Sequence, residues 1–225
     1  MKAFSLLVLA LGLAGCVQTT DPAVEPRVSM ATALNNFEAV RRKVEPVAEA
    51  ECRARTRGMN CNFLIGVDAT MFAEANAFQG LDDNNRPVIA FTVALIADAR
   101  NVDELAFVLG HEAAHHILAH LAEQERNAAI GADLMAEEAA RRGASERERE
   151  KAREVGAYLG ALAFSQEMEL EADALGTVIA AQAGYDPLHG AQYFNRMDDP
   201  GNKMLGTHPP NSKRLKVVQD VVDSL

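Results

Sequence analysis

Apolar side chains recur three and four residues apart along most of the chain, a spacing that is typical of amphipathic helices. The clearest stretch extends from about Ala31 to Arg55, and its apolar positions are Leu34, Phe37, Val40, Val44 and Val47. Short apolar runs at 62–67, 75–78 and 87–92 predict strands, and the turn residues 80–85 make the last two a hairpin. The pattern therefore predicts an α+β fold that is mainly helical, with a small sheet.

Capping residues predict where two longer helices begin. Asn101, followed three residues later by Glu104, forms a capping box, and the apolar pattern then continues to about Gln124. Ser145 has the same spacing to an acidic residue, and it opens a long helix that ends near Gly184.

The remaining segments are shorter or less regular. Residues 126–144 mix small apolar residues with charges and glycines, and we predict a mobile segment there. A short helix capped by Asp186 and Pro187 is expected to end near Met197, and a final helix is expected to begin near Asn211.

The composition is that of a globular protein. Of the 225 residues 48% are hydrophobic, which excludes a largely disordered chain. Lys and Arg total 22 against 32 Asp and Glu, so the net charge is −10. Because nucleic-acid binding depends mainly on basic groups that neutralise phosphates, we expect no nucleic-acid partner. The length suits a single domain, which we assign to residues 31–225.

The N-terminus predicts export and lipid attachment. Lys2 precedes an apolar run that is too short to span a bilayer permanently. The following Leu-Ala-Gly-Cys resembles a bacterial lipobox, which implies that a signal peptide of residues 1–15 is removed and that Cys16 is acylated. A plain secretory signal with an incidental cysteine is the alternative. Because Val17 rather than Asp follows the cysteine, the lipobox favours the outer membrane, with residues 16–30 as a tether into the periplasm.

Export also bears on the two remaining cysteines. Cys52 and Cys61 are close in sequence, and an oxidising compartment lets a disulfide persist. We therefore predict a disulfide between the end of the first helix and the start of the first strand; two buried free thiols are the alternative. A structural zinc site is not expected at these cysteines, because no further Cys or nearby His completes a tetrahedral set.

The residues with the clearest chemistry lie inside the helix that begins at Asn101. His111 and His115 frame an H-E-x-x-H sequence, and as i,i+4 neighbours about 5–6 Å apart they can both reach one zinc ion. Glu112 points about 100° further round the helix, where it suits a general base beside the ion. Solvated histidines are the alternative, but the neighbouring residues are apolar, and buried imidazoles without partners are costly. The pattern predicts one zinc ion per chain.

A second pair of histidines in the same helix has the same spacing. His116 and His120 lie on a different stripe from His111 and His115, and no acidic residue follows His116. We therefore assign His116 and His120 to packing or to a polar rim.

A hydrolytic zinc site needs a third protein ligand, which we expect from the second long helix. Glu167, Glu169 and Glu171 are candidates among which spacing alone does not choose, and a solvated acidic face is the alternative for each. Asp173 shares a face with Glu169, and it suits a hydrogen bond to a ligand histidine.

The two-part motif resembles the HtpX and CAAX-prenyl-protease type of zinc metallopeptidase, peptidase family M48. His111-Glu112-x-x-His115 is followed in the next long helix by Glu169-x-x-x-Asp173, within Glu-Leu-Glu-Ala-Asp-Ala-Leu-Gly. The resemblance implies that Glu169 is the third zinc ligand, that Asp173 supports a ligand histidine, and that the fold is zincin-like, of the gluzincin type.

Two further segments extend the resemblance over roughly residues 60–215. Asn76-Ala77-Phe78 resembles the family's N-A-F segment, an edge strand that can pair with an extended substrate. Thr207-His208-Pro209-Pro210, followed by Arg214, resembles a late motif in which the histidine lies near zinc, stabilising the oxyanion or gating the site, and the arginine supports it. The acidic loop at 82–83 departs from the family's small-residue turn. Without transmembrane helices after the signal, the chain is similar to the small periplasmic lipoprotein members.

The resemblance implies a zinc endopeptidase that acts on unfolded or mis-assembled envelope proteins, with Glu112 as general base. One alternative is a latent protease, in which His208 or residues 126–150 occlude the metal. Another is a lipoprotein that binds clients as a chaperone and uses zinc structurally. The apolar stretches 128–135 and 158–164 support the chaperone alternative, although such stretches more often form core.

Overall fold

The structure is a computed structural model that describes residues 27–70, 73–163, 165–199, 201 and 208–225. The predicted signal peptide, Cys16, most of the predicted tether and Thr207 lie outside these residues. Among the described residues, no helix has the length and apolar character that a membrane crossing requires. In chain order the helices are α1 (Met30–Arg55), α2 (Val93–Asp98), α3 (Val102–Ile117), α4 (His120–Arg141), α5 (Glu146–Leu162), α6 (Ser165–Gln182), α7 (Pro187–Gly190) and α8 (Asn211–Val222), with a 3-10 turn at Ala191–Arg196.

Helix α1 confirms the first amphipathic prediction. Ser29 caps it, since its hydroxyl oxygen accepts a hydrogen bond from the backbone N–H of Thr32 at 3.2 Å. Leu34 is exposed, and the buried stripe follows the predicted spacing from the next turn onwards. The fully covered residues of this stripe are Ala33, Phe37, Val40, Val44, Ala48 and Cys52.

Three strands form one sheet within the described ranges: β1 (Leu64–Asp68), β2 (Ala77–Leu81) and β3 (Pro87–Thr92). β3 is central, and it pairs in parallel with β1 and antiparallel with β2. The antiparallel pair is the predicted hairpin, but β2 begins at Ala77 and extends through Gly80 and Leu81, which were predicted as turn residues. The ring of Phe91 lies 5.0 Å from that of Phe37, so the sheet packs on α1 through an aromatic contact.

Helix α3 passes through the core between α1, the sheet and α6. It begins as predicted, because the side chain of Asn101 accepts a hydrogen bond from the backbone N–H of Glu104 at 2.9 Å. Midway along it, a Cβ on Gly110 would lie only 2.7 Å from the carbonyl oxygen of Gly176 in α6. The backbones of α3 and α6 are therefore almost in contact one residue before His111.

The α3 boundary and the following segment differ from the prediction. α3 ends at Ile117 rather than near Gln124, because Ala119 adopts a left-handed backbone conformation with φ of 58°. The chain then restarts as α4, so residues 126–144 form most of a helix rather than a mobile segment. α4 packs along α5 so closely that a Cβ on Gly131 or on Gly156 would collide with the other helix's backbone. That contact, which the local sequence does not display, holds α4 in place.

The predicted single helix from Ser145 to near Gly184 is two helices. α5 and α6 are separated at Ala163, which is extended. The capping box is present, since the backbone N–H and the hydroxyl of Ser145 donate to Oε2 of Glu148 at 2.8 and 2.6 Å.

Several large apolar side chains of the α4–α5 hairpin are exposed. All but Val155 belong to the stretches 128–135 and 158–164, and the expectation that these stretches form core is wrong for those residues. The two helices pack through glycines, which leaves the larger side chains outside the contact. The exposed residues are Ile130, Leu134, Met135, Val155, Tyr158 and Leu159.

The remaining predictions of local structure agree with the fold. Oδ1 of Asp186 accepts hydrogen bonds from the first backbone N–H groups of α7, and the 3-10 turn continues to Arg196. α8 begins at Asn211. Cys52 and Cys61 form a disulfide with their Cα atoms 5.7 Å apart, joining the last turn of α1 to the segment before β1.

Candidate metal centre

Three of the predicted ligand side chains converge where α3 meets α6. Nε2 of His111 and Nε2 of His115 are 3.0 Å apart. The carboxylate oxygens of Glu169 lie 3.6 Å from the first nitrogen and 3.4 Å from the second. Around a tetrahedral ion with bonds of about 2.0–2.1 Å, ligand atoms are separated by about 3.3 Å, so these three fit one zinc-sized cation. Among the His, Cys, Asp and Glu side chains of the described residues, these three have ligand atoms close enough together to hold one metal ion.

The structure distinguishes the three acidic candidates of α6. Glu169 faces the histidine pair, whereas Glu167 and Glu171 are exposed. One turn after Glu169, Asp173 is fully buried beneath His111.

Asp173 connects His111 to the last helix. Its Oδ1 lies 2.9 Å from Nδ1 of His111, and its two oxygens each accept a hydrogen bond from Arg214 at 2.7 Å. Burial alone would raise the pKa of Asp173, but hydrogen bonds from Arg214 and His111 outweigh it and keep the pKa below its usual range. The ionised carboxylate therefore accepts the Nδ1 proton of His111, which leaves Nε2 as a lone-pair donor for a metal.

Glu169 has a partner at the surface as well. Its Oε2 lies 3.1 Å from Nδ1 of His208, whose side chain is half-exposed. Burial would raise the pKa of Glu169, but its contacts with His115, His208 and His111 and the charge of Arg214 outweigh burial, so the pKa is far below its usual range. Glu169 is therefore ionised, as a metal ligand must be.

Glu112 lines the cleft beside the two histidines. Burial raises its pKa, and the nearby imidazoles offset this only in part. Glu169 and Asp173 are both ionised and face the single guanidinium of Arg214. This excess of negative charge favours a bound cation.

His120 was assigned to packing or a polar rim, but it is a polar neighbour of a candidate ligand. Its Nδ1 lies 2.9 Å from Nδ1 of His115, and its Nε2 lies 3.2 Å from Oε2 of Glu171. Burial, more than any neighbouring charge, lowers the pKa of His120 and so favours the neutral ring. In a continuous helix, residues i and i+5 would point about 140° apart, and the left-handed Ala119 is what brings the rings together. Alanine gives no sequence sign of that conformation, so spacing alone missed this contact.

His116 agrees with the packing prediction. Its Nε2 donates to the backbone carbonyl of Asn60 at 2.8 Å, and its ring meets the ring of Phe63 edge-on at 5.4 Å. Because Asn60 lies in the loop that the Cys52–Cys61 disulfide closes, this bond ties the loop to α3.

An open cleft of about 410 Å³ lies over the candidate ligands, with Asn76, Ala77 and Phe78 on one wall. Among the described residues β2 pairs only with β3, so its second edge has no strand beside it. The carbonyl of Asn76 accepts a hydrogen bond from the backbone N–H of Thr92 in β3 at 2.9 Å. Since bonding alternates along an antiparallel strand, Ala77 and Gln79 direct their backbone groups to the free edge.

Comparison with known proteins agrees with this geometry. The chain is 30% identical over 169 residues to the beta-barrel assembly-enhancing protease of Escherichia coli O157:H7, covering 68% of this chain and 32% of that protein. It is 30% identical over 147 residues to the mitochondrial metalloendopeptidase OMA1 of Arabidopsis thaliana, covering 58% of this chain and 27% of that protein. The chain thus spans about a third of the length of these curated relatives. The sequence of residues 35–222 matches the family model of peptidase family M48. The chain therefore belongs to that metallopeptidase family.

Proposed function

We propose that the protein is a zinc-dependent endopeptidase of the zincin-like (gluzincin) type, folded as one domain over residues 31–225. The observation that carries this proposal is the convergence of His111, His115 and Glu169 beside Glu112. Two histidines and a glutamate are the protein ligands of several hydrolytic zinc sites, in which a fourth position stays open for chemistry. Membership of a metallopeptidase family supports the same assignment.

In this proposal the chain's residues have separate tasks. Zinc, when bound at this site, would polarise the scissile carbonyl group and lower the pKa of water to about 7. Glu112 accepts the proton of the attacking water and returns it to the leaving amine. Asp173 keeps His111 in the tautomer that can bind metal. His208, at the mouth of the same cleft, supplies a hydrogen-bond donor to the oxygen that gains charge.

An extended polypeptide is the substrate class that the cleft favours. The free edge of β2 offers backbone N–H and C=O groups at Ala77 and Gln79, next to the candidate metal ligands. A peptide bound there as an added strand would be held by its backbone rather than by one particular side chain. Such recognition suits unfolded segments of differing sequence.

We further propose that the protein acts at the bacterial envelope, anchored by acylation of Cys16 to the outer membrane and facing the periplasm. The Cys52–Cys61 disulfide supports an oxidising compartment. The name of the bacterial relatives, beta-barrel assembly-enhancing protease, supports unfolded or mis-assembled envelope proteins as substrates. Radiolabelled palmitate should label the wild type and not the Cys16→Ala variant.

The mechanism is tested by Glu112→Gln, which removes the base and keeps the size of the side chain. We expect the variant to retain one zinc per chain and to lose casein cleavage by at least about a hundredfold. His111→Ala and Glu169→Ala should lose the metal as well as the activity, which elemental analysis of the purified proteins would measure. Cleavage by Glu112→Gln at the wild-type rate would contradict the mechanism.

The task of His208 is tested by His208→Ala. Loss of a donor to the developing oxyanion should lower kcat by about a hundredfold with little change in KM, while the zinc content stays at one per chain. An increase in activity would instead mean that His208 obstructs the site, as in a latent enzyme.

A further inference from the structure

A line of polar side chains leads from the candidate metal site to solvent along α4 and α6. It starts at His115, continues through the buried ring of His120, and ends at Glu171, whose side chain is 65% exposed. The contacts along it are Nδ1 to Nδ1 at 2.9 Å and Nε2 to carboxylate at 3.2 Å. We propose that His120 and Glu171 are positioning residues, which fix the orientation and tautomer of His115 for metal binding. This inference rests on the proposed zinc site.

The protons along this line can be assigned from its far end. Glu171 is a carboxylate and can only accept, so Nε2 of His120 carries the proton between them. The Nδ1–Nδ1 contact of 2.9 Å needs one donor and one acceptor. Since the ring proton of His120 lies on Nε2, its Nδ1 accepts and Nδ1 of His115 donates. His115 is left with a lone pair on Nε2, the atom that lies 3.0 Å from Nε2 of His111 and faces Glu169. Each bond in the line therefore supports the tautomer that binds metal through Nε2.

The two histidine ligands are thus supported differently. His111 is held by Asp173, a buried carboxylate that is itself paired with Arg214. His115 is held by the imidazole of His120, whose carboxylate partner Glu171 is exposed to solvent. The backbone also serves this arrangement, because Ala119 occupies the left-handed region, which a residue with a Cβ seldom adopts, and so brings His120 to His115.

Zinc affinity and the proton of His115 together test the inference. In zinc-loaded protein with ¹⁵N-labelled histidine, the Nδ1 proton of His115 should be visible by NMR and slow to exchange. His120→Leu removes the acceptor, so we expect that signal to be lost and the zinc Kd, from competition with a chelator, to rise roughly 10–100-fold. His120→Gln retains an acceptor oxygen and should restore most of the affinity. Glu171→Ala should weaken zinc binding several-fold, whereas Glu167→Ala, which removes another exposed carboxylate of α6, should not.

The outcomes separate this inference from the proposed function. Wild-type protein that binds no stoichiometric zinc would overturn both. A wild type that binds zinc, with His120→Leu and Glu171→Ala equal to it in Kd and in the His115 signal, would overturn only the role of His120 and Glu171. If His120→Leu does not fold, Glu171→Ala and His120→Gln decide alone, because the first changes an exposed side chain and the second retains a polar one.

Discussion

A fully buried carboxylate, Asp173, links α3, which carries two of the candidate metal ligands, to α8. Its charge is matched by Arg214, which also places its guanidinium 3.9 Å from the centre of the Phe194 ring. A charged group in such a position is stable only while its partner is present. The pair therefore fixes α8 on α6 and, through Asp173, orients His111.

Removing one partner of this pair should destabilise the whole fold. Arg214→Leu leaves the carboxylate of Asp173 buried and unpaired, so the free energy of unfolding in urea should fall by about 3–5 kcal/mol in metal-free protein. Arg153→Leu is the matched control, since Arg153 forms an exposed ion pair with Asp133, and it should cost less than about 1 kcal/mol.

A double variant identifies the cause of that loss. Asp173→Asn removes the unpaired charge, so Arg214→Leu combined with Asp173→Asn should recover more than about 1 kcal/mol relative to Arg214→Leu alone. If the double variant were no more stable than Arg214→Leu, lost packing rather than the buried charge would be the reason.

At this scale the sequence predicts most of the site, but not all of it. His111, Glu112 and His115 follow from one helical turn, because their spacing is a local property. Glu169 required either the family resemblance or the structure, since its exposed neighbours in α6 carry the same functional group. The contact of His120 with His115 was missed, because it depends on the left-handed backbone at Ala119 rather than on residue type.

Among the elements, α3 and α6 carry both halves of the motif and meet through glycines. The backbone nitrogen of His111 would lie 2.8 Å from a Cβ placed on Gly176, so any side chain there would separate the helices. The separation between the ligand atoms of His111 and Glu169 follows directly from this close approach.

Gly110→Ala tests whether that approach sets the metal geometry. Alanine favours helices by about 1 kcal/mol over glycine in exposed positions, but here its Cβ would press on the backbone of Gly176. We expect the free energy of unfolding to fall by about 1–3 kcal/mol and zinc binding to weaken. Gly66→Ala in β1, where nothing lies within 4 Å of the new Cβ, should leave zinc affinity unchanged. A stabilised Gly110→Ala variant with full zinc affinity would contradict the argument.

The elements that prediction placed correctly are those with local signatures. The hairpin has a turn between two apolar runs, and α3 has an N-cap at Asn101. Neither glycine nor proline occupies the breaks at Ala119 and Ala163. The apolar spacing continues across both, so it predicted uninterrupted helices there. They form because tertiary contacts, such as that of α4 with α5, outweigh the local preference.

For the whole molecule, the candidate metal centre is the point where separate parts of the chain meet. α3 and α6 supply the ligands, α8 supplies Arg214 beneath them, and His208 reaches Glu169 from the segment before α8. The loop closed by the Cys52–Cys61 disulfide contacts α3 through the hydrogen bond between Asn60 and His116. A cation at this point would therefore stabilise contacts between parts that are distant in sequence.

Metal removal should accordingly lower the thermal stability of the whole chain. A ligand that binds only the folded state at a hundred times its Kd stabilises it by about 2.7 kcal/mol, which for a chain of this size corresponds to a Tm higher by about 5–10 °C. We expect a chelator to lower the Tm of the zinc-loaded wild type by that amount, and added zinc to restore it, in a calorimetric or circular-dichroism melt.

Glu169→Ala should melt at one temperature with or without zinc, because its ligand set is incomplete. Glu112→Gln should behave like the wild type, since it retains all three ligands. Equal zinc-dependent shifts in wild type and Glu169→Ala would mean that zinc stabilises the protein elsewhere.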